Sequence, residues 1–295
     1  MSQNAYILVI GNEKGGCGKT TLSMHLCTYL LYEGYNVSTV DLDPRQRTLT
    51  RYIEQRLEFG ESQHLYLPMP KHHVMNHSQS DSKELAQQDE EQRFLKCLSA
   101  SSKGDVLLID TPGNHNFLST LAHSYADIVV TPINDSFLDL DVLAHTHRDS
   151  LDMNQPGVYS ELIWNAKITK AKRDRAPLEW VVLRNRLSNI DANNKRAMAD
   201  SLNLFSKRTG ARVASGLAER VIYRELFLKG ITLLDVLHEK TEVSLQLSHI
   251  AARQELRNLC KFLDLKSKIQ AKKERLTEKV ESSASTQPEK ALENA

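Results

Sequence analysis

Cysteine is scarce in this chain: only Cys17, Cys27, Cys97 and Cys260 occur in 295 residues, and no two have C-x2-C spacing. That scatter excludes a cysteine-built zinc site and a disulfide framework, and it fits a reducing cytosol. Long apolar runs are missing too. None approaches the ~18 residues of a membrane span, and no basic-then-apolar leader precedes Tyr6, so the expectation is a cytoplasmic protein. Net charge is almost nil, +1 from 38 Lys and Arg against 37 Asp and Glu. Any affinity for nucleic acid must therefore come from a local patch and not from the global field. The stretch 266–279 carries only Ile269 and Leu276 as bulky apolar residues. Stable membrane association through an amphipathic helix is not expected.

What is present is rhythm. Short β-branched and apolar runs (Tyr6–Ile10, Val37–Val40, Val106–Ile109, Ile128–Val130, Val181–Leu183) alternate with helical patterns. That alternation predicts an α/β fold, a doubly wound and mostly parallel sheet with helices on both faces. Such sheets bind ligands along the carboxyl edge of their strands. One domain is expected over residues 1–265, interrupted at 60–93 by an excursion whose helix runs from Ser82 to about Leu98. His64, His72, His73 and His77 fall in that excursion. Without cysteine partners or an i,i+4 pair they read as part of a solvated loop and not as a metal site. Residues 266–295 read as a charged tail that starts helical and then becomes disordered.

The densest chemistry lies at residues 11–21, Gly-Asn-Glu-Lys-Gly-Gly-Cys-Gly-Lys-Thr-Thr, between the first strand candidate and a helical pattern from Thr20 to about Tyr32. A phosphate-binding loop needs that strand–helix context. Gly15, Gly16 and Gly18 let backbone amides turn toward phosphate oxygens, with Cys17 and Thr21 completing the cradle. The positive end of the helix dipole faces the same anion. Lys19 reaches the β- and γ-phosphates, and the Thr20 hydroxyl binds Mg²⁺. This is a P-loop nucleotide hydrolase pattern with one departure: Glu13 stands where the strict motif has glycine, and a second lysine, Lys14, opens the loop.

Two further strand ends carry carboxylates. Asp41 and Asp43 follow Val37–Val40, and both project toward the edge that holds the loop; Asp41 is assigned to the Mg²⁺ shell. Val106–Ile109 runs into Asp110-Thr111-Pro112-Gly113. Asp110 fits a residue holding Mg²⁺ or its water, and Gly113 can offer an amide to the γ-phosphate and sense its loss. The guanine-reading element is absent, since its nearest match, Thr169-Lys170-Ala171-Lys172, ends in lysine. Asn185, after Val181–Leu183, presents a donor and an acceptor that suit the N6/N7 edge of adenine. From Arg184 to Arg224 cations outnumber anions. Lys195, Arg196, Lys207, Arg208, Arg212, Arg220 and Arg224 are candidates for a sequence-independent DNA-backbone track.

Lys14-Gly15-Gly16-Cys17-Gly18-Lys19-Thr20-Thr21 resembles the deviant Walker A motif of the ParA/MinD ATPases. The resemblance implies a homodimer sandwiching ATP and Mg²⁺, with Lys14 reaching the partner's nucleotide. It makes residues 41–46 switch I and Asp43 the aspartate that positions or activates the attacking water. The family commonly reads Asp-Pro-Gln there, whereas this chain inserts Arg45 before Gln46, which leaves the role of Gln46 open. Gly11–Thr21, Asp41–Thr48, Asp135–Asp139, Trp180–Leu187 and Arg220–Phe227 are similar to the MipZ division-site regulators within that group. That likeness implies slow hydrolysis, DNA-bound dimers that inhibit FtsZ assembly, recruitment by ParB, and a nucleoid-associated distribution graded from the poles. A ParA-type chromosome or plasmid partition ATPase is the alternative.

Overall fold

The computed structural model describes residues 4–147, 150–187, 192–236, 241 and 246–285. Five parallel strands were expected, and all five are present: β1 (Tyr6–Ile10), β2 (Val37–Asp41), β4 (Val106–Asp110), β5 (Ile128–Asn134) and β8 (Glu179–Asn185). Two short strands, β3 (Lys71–Val74) and β9 (Arg212–Ala214), extend the edges. The seven run parallel in the order β3-β2-β4-β1-β5-β8-β9. A separate antiparallel hairpin joins β6 (Ala144–His147) and β7 (Ser150–Pro156).

Side-chain alternation along the strands builds two apolar layers. Ile7, Val9, Leu107 and Ile109 face α3 (Lys83–Ser101), α4 (Phe117–Tyr125), α6 (Val158–Asp174) and α7 (Ala192–Thr209). Tyr6, Leu8, Ile10 and Leu108 face α1 (Lys19–Tyr32), α9 (Leu247–Leu263) and α10 (Leu265–Ser285). Both faces of each central strand are buried, so those strands read as nearly unbroken apolar runs. β1 lies between β4 and β5, the point where strand order reverses and a crevice opens at the carboxyl edge. Register aligns Ile10 and Asp41 with Asp110. The loops after β1, β2 and β4 therefore leave the sheet at one level.

Two segments carry packing that the sequence pattern does not show. The 60–93 excursion is not simply a solvated loop: it follows α2 (Thr48–Ser62), adds β3 to the sheet and runs into α3, whose N-cap Ser82 accepts a bond from the Leu85 amide. The charged segment after 265 is helical from its start, and it packs on the fold. Asp264 takes a left-handed φ of 49° and breaks α9 from α10, which buries Leu265 and Ile269 in the layer under α1. Lys266, Lys268, Lys272 and Lys273 then pair with Glu33, Glu179, Asp127 and Asp105. These anions stand at the amino-terminal side of the sheet, so α10 straps the edge opposite the phosphate loop. Residues 286–295 lie outside the described ones.

Among the described residues the remaining elements are α5 (Phe137–Leu140), after β5, and α8 (Ile222–Leu228), after β9. Both border the carboxyl edge.

Candidate active site

Residues 11–18 cross from β1 to α1 with Gly16 at φ 75° and Gly18 at φ 88°. These left-handed conformations favour glycine. A Cβ on Gly15 or Gly16 would meet nothing within 4 Å, whereas one on Gly18 would lie 2.3 Å from Asn185 Nδ2. The loop is thus open above Gly15 and closed below Gly18. Asn12, buried, pins the start of the loop: Nδ2 donates to Pro132 O (2.8 Å) and Oδ1 accepts from the Lys14 amide (3.1 Å). Lys19 Nζ, also buried, donates to Lys14 O at 2.8 Å and lies over the loop. Open glycine backbone, a following helix N-terminus and an inward ammonium form a donor set that fits phosphate.

Two of the three residues assigned to the cation, Thr20 and Asp110, are in contact. Thr20 Oγ1 donates to Asp110 Oδ2 (2.6 Å). Ser23, one turn further along α1, donates to Asp110 Oδ1 (2.8 Å). Burial, reinforced by the charge of Asp41, raises the Asp110 carboxyl to about 7 against the pull of Thr20, Ser23 and Lys19. A buried carboxylate short of positive charge beside a threonine hydroxyl fits a Mg²⁺ shell. Asp41, expected in the Mg²⁺ shell, is bonded through both oxygens to the turn that follows it. Its Oδ1 accepts from the Asp43 amide (2.9 Å) and its Oδ2 from Thr50 N (3.0 Å) and Thr50 Oγ1 (2.8 Å). It substitutes for a side-chain cap at the start of α2, where Arg47 supplies none.

Asp43 is half-buried; its Oδ1 accepts from the Gln46 amide (3.1 Å) and its carbonyl from the Arg47 amide (2.8 Å). The turn leaves Arg45 and Gln46 exposed. Gly113 reaches the phosphate loop itself: a Cβ there would lie 2.9 Å from both Cα and N of Gly15. Lys14 turns away from its own loop. Its Nζ pairs with Oδ1 of Asp139 on α5, while Asp139 Oδ2 takes the Asn134 amide at 2.9 Å. The lysine side chain keeps 38% exposure at the rim, and the adjacent Leu138 is 77% exposed.

The Gly113 contact yields a prediction. Gly113→Ala forces loop against loop, an overpacking cost of about 1–3 kcal/mol. Binding of a non-hydrolysable ATP analogue, measured by calorimetry, should weaken about tenfold or more. Unchanged affinity would mean the two loops part without effort.

Beside the loop lies a cavity of about 320 Å³, bordered by Gly18, Thr21, Asn185, Leu217, Ala218 and Tyr223. It has the position and size for a nucleoside. Asn185 serves the loop as well as the cavity: Nδ2 donates to Cys17 O at 2.8 Å. One of its two N–H donors is thereby engaged, which leaves the other N–H and Oδ1 for the edge of a base.

The basic candidates do not form one track. Lys207, Arg208 and Arg212 lie at the end of α7 and the start of β9, toward the amino edge of the strands. Arg220 and Arg224 follow β9 and border the cavity at the opposite edge. Several are paired: Arg212 with Glu179 and over the Phe262 ring, Arg220 with Glu255 (2.5 Å), and Arg224 with Glu219 (3.1 Å). Arg196 is exposed on α7, and the Lys195 side chain lies outside the described ones. Crossing the sheet through β9 separates residues that are neighbours in sequence.

A family model described as ATPase MipZ matches residues 6–267. Among solved structures, a variant of Cyanothece McdA in complex with ATP is similar with TM-score 0.54 and 15% identity, over 89% of this chain and 98% of that one. MinD of Pyrococcus horikoshii, complexed with Mg-ADP, gives TM-score 0.53 and 17% identity over 88% of this chain and 96% of that one. At such identities the likeness speaks to the fold. A Rhizobium rhizogenes protein with the provisional description replication protein A is 38% identical over 61 residues, 20% of this chain, and the match spans only 15% of that protein.

Proposed function

Because this chain belongs to the MipZ family of ATPases, we propose that it binds ATP with Mg²⁺ at residues 11–21 and acts as a dimerisation switch reset by slow hydrolysis. The observation that carries the reading is the arrangement around the loop: Gly113 abuts Gly15 from inside the chain, and Lys14 leans outward at the rim. What occupies the loop is felt by the segment after β4, and the outward lysine is available to a second subunit. ATP-bound McdA and Mg-ADP-bound MinD on the same fold support these ligands here.

Lys19 and the loop amides hold the phosphates, and Thr20 with Asp110 holds the cation. Bound Mg²⁺ supplies positive charge against the phosphate oxygens. Asp43 orients the attacking water by accepting its proton-bearing hydrogen bond. Gly113 reports the γ-phosphate, and Asn185 reads the base. Lys14 exchanges Asp139 for the partner's nucleotide, so the triphosphate joins two chains. A ligand that binds only the paired state shifts the equilibrium by that difference in affinity.

Lys14→Ala should therefore still bind ATP yet remain at monomer mass in light scattering; normal dimers would remove Lys14 from the switch. The downstream reading is that ATP dimers hold DNA without sequence preference and inhibit FtsZ assembly, with ParB as recruiter. Its test is FtsZ sedimentation with this protein and ATP. Polymer loss that depends on ATP supports division control, and intact polymer overturns it in favour of partition.

A further inference from the structure

The excursion 60–93 converges on one residue of switch I. β3 pairs in parallel with β2, with His72 opposite Thr39. Just past β3, the Met75 amide donates to the Asp41 carbonyl at 3.0 Å. The His72 ring stands between two threonines: Nδ1 lies 2.9 Å from Thr39 Oγ1 and Nε2 lies 3.1 Å from Thr50 Oγ1. Thr50 Oγ1 in turn donates to Asp41 Oδ2 at 2.8 Å, and Asp41 Oδ1 receives the Asp43 amide at 2.9 Å.

Counting protons assigns the ring. A hydroxyl has one hydrogen, and the Asp41 carboxylate can only accept, so the Thr50 hydrogen points to Asp41. Thr50 Oγ1 must then accept from His72, which places the ring proton on Nε2. Nδ1 is left as an acceptor for Thr39 Oγ1–H. Burial holds the ring below its usual 6.5, with the neutral form favoured. Every donor in the series from Thr39 to Asp41 therefore has one partner, and reversing any link leaves a group unsatisfied.

We propose that His72 is a positioning residue for hydrolysis: through Thr50 it holds the Asp41 carboxylate and so sets the turn that carries Asp43. The excursion is then a buttress of switch I, tied to Asp41 once through the Met75 amide and once through the His72–Thr50 pair. This rests on the reading in which Asp43 orients the water. A buttress acts on the geometry of the reacting water and not on the grip of the loop, so its loss lowers kcat and spares KM.

The experiment is steady-state phosphate release by the full chain. His72→Leu should lower kcat about tenfold, with KM for ATP within about twofold and the thermal unfolding midpoint little changed. His72→Gln retains an N–H donor and should recover most of the rate. Thr50→Val should match His72→Leu, Thr50→Ser should stay near wild type, and the double variant His72→Leu/Thr50→Val should be no slower than Thr50→Val alone. Wild-type kcat in His72→Leu, or a rate loss accompanied by a raised KM and a lowered midpoint, overturns the proposal. Asp43→Ala is measured alongside. If it is inactive while His72→Leu is normal, only the buttress fails; if it too turns over normally, the reading of Asp43 fails and takes the buttress with it.

Discussion

Replacing Asp43 with alanine is expected to slow phosphate release from ATP at least about 100-fold while nucleotide binding persists. The expectation comes from position. The Asp43 side chain touches neither the glycine loop nor Lys19 in any described contact; its bond goes to the Gln46 amide of its own turn. Removing the carboxylate therefore takes away a water-orienting group and leaves the phosphate cradle whole. Hydrolysis is what separates the subunits in this account, so the variant should also accumulate as long-lived ATP dimers. Turnover at the wild-type rate would reassign the role, with exposed Gln46 the next candidate.

The largest expected effect on stability lies at Arg56. Its guanidinium and the Asp235 carboxylate are both fully buried and joined by two 2.8 Å bonds. Asp235 also receives Tyr32 OH from α1 and both the amide and hydroxyl of Thr232, each at 2.7 Å. Gly230, at φ 64°, passes so close that a Cβ would lie 2.1 Å from the Arg56 amide. One residue of α2 thus fastens α1 and the segment after α8. Arg56→Met removes one charge and strands the other, which costs about 3–5 kcal/mol and about 6–20 °C of melting temperature in a domain of this size.

The pH dependence of that loss has a definite sign. Burial alone raises the Asp235 carboxyl, but the bonds and charge of Arg56, with Tyr32 and Thr232, hold it below its usual 3.8. A carboxyl held low stabilises the fold above its unfolded value, and that contribution is lost as pH falls through the folded one. In Arg56→Met burial is unopposed by the guanidinium, the folded value rises, and ionisation becomes a penalty at neutral pH. The stability gap between the two proteins should be widest near pH 7 and narrow toward about pH 4. A uniform gap in urea unfolding would show that the cost is packing alone.

Chemistry written in contiguous residues was legible. A glycine run between strand and helix, and aspartates closing apolar strands, declare themselves because turn geometry and strand periodicity are local properties. Ser23 was within the same reach, one helical turn from Thr20, though nothing about a lone serine demanded a role. Contacts made by the folded chain were not legible. Lys14 meets Asp139 across 125 residues, Asn185 meets Cys17 across 168, and Arg56 meets Asp235 across 179. The bonds of Asp41 to the Asp43 amide and to Thr50 at the start of α2 are likewise set by the fold of the turn and not announced by the aspartate itself. The basic stretch misled for the complementary reason: β9 carries the chain across the sheet, and sequence neighbours part to opposite edges.

The account depends on two chains gripping a shared triphosphate. The most direct measurement is the molar mass in solution, by light scattering, with Mg²⁺ and a non-hydrolysable ATP analogue compared against ADP. A doubling of mass with the analogue and none with ADP is the predicted result. One chain's mass under both conditions would contradict the switch and leave a monomeric nucleotide binder.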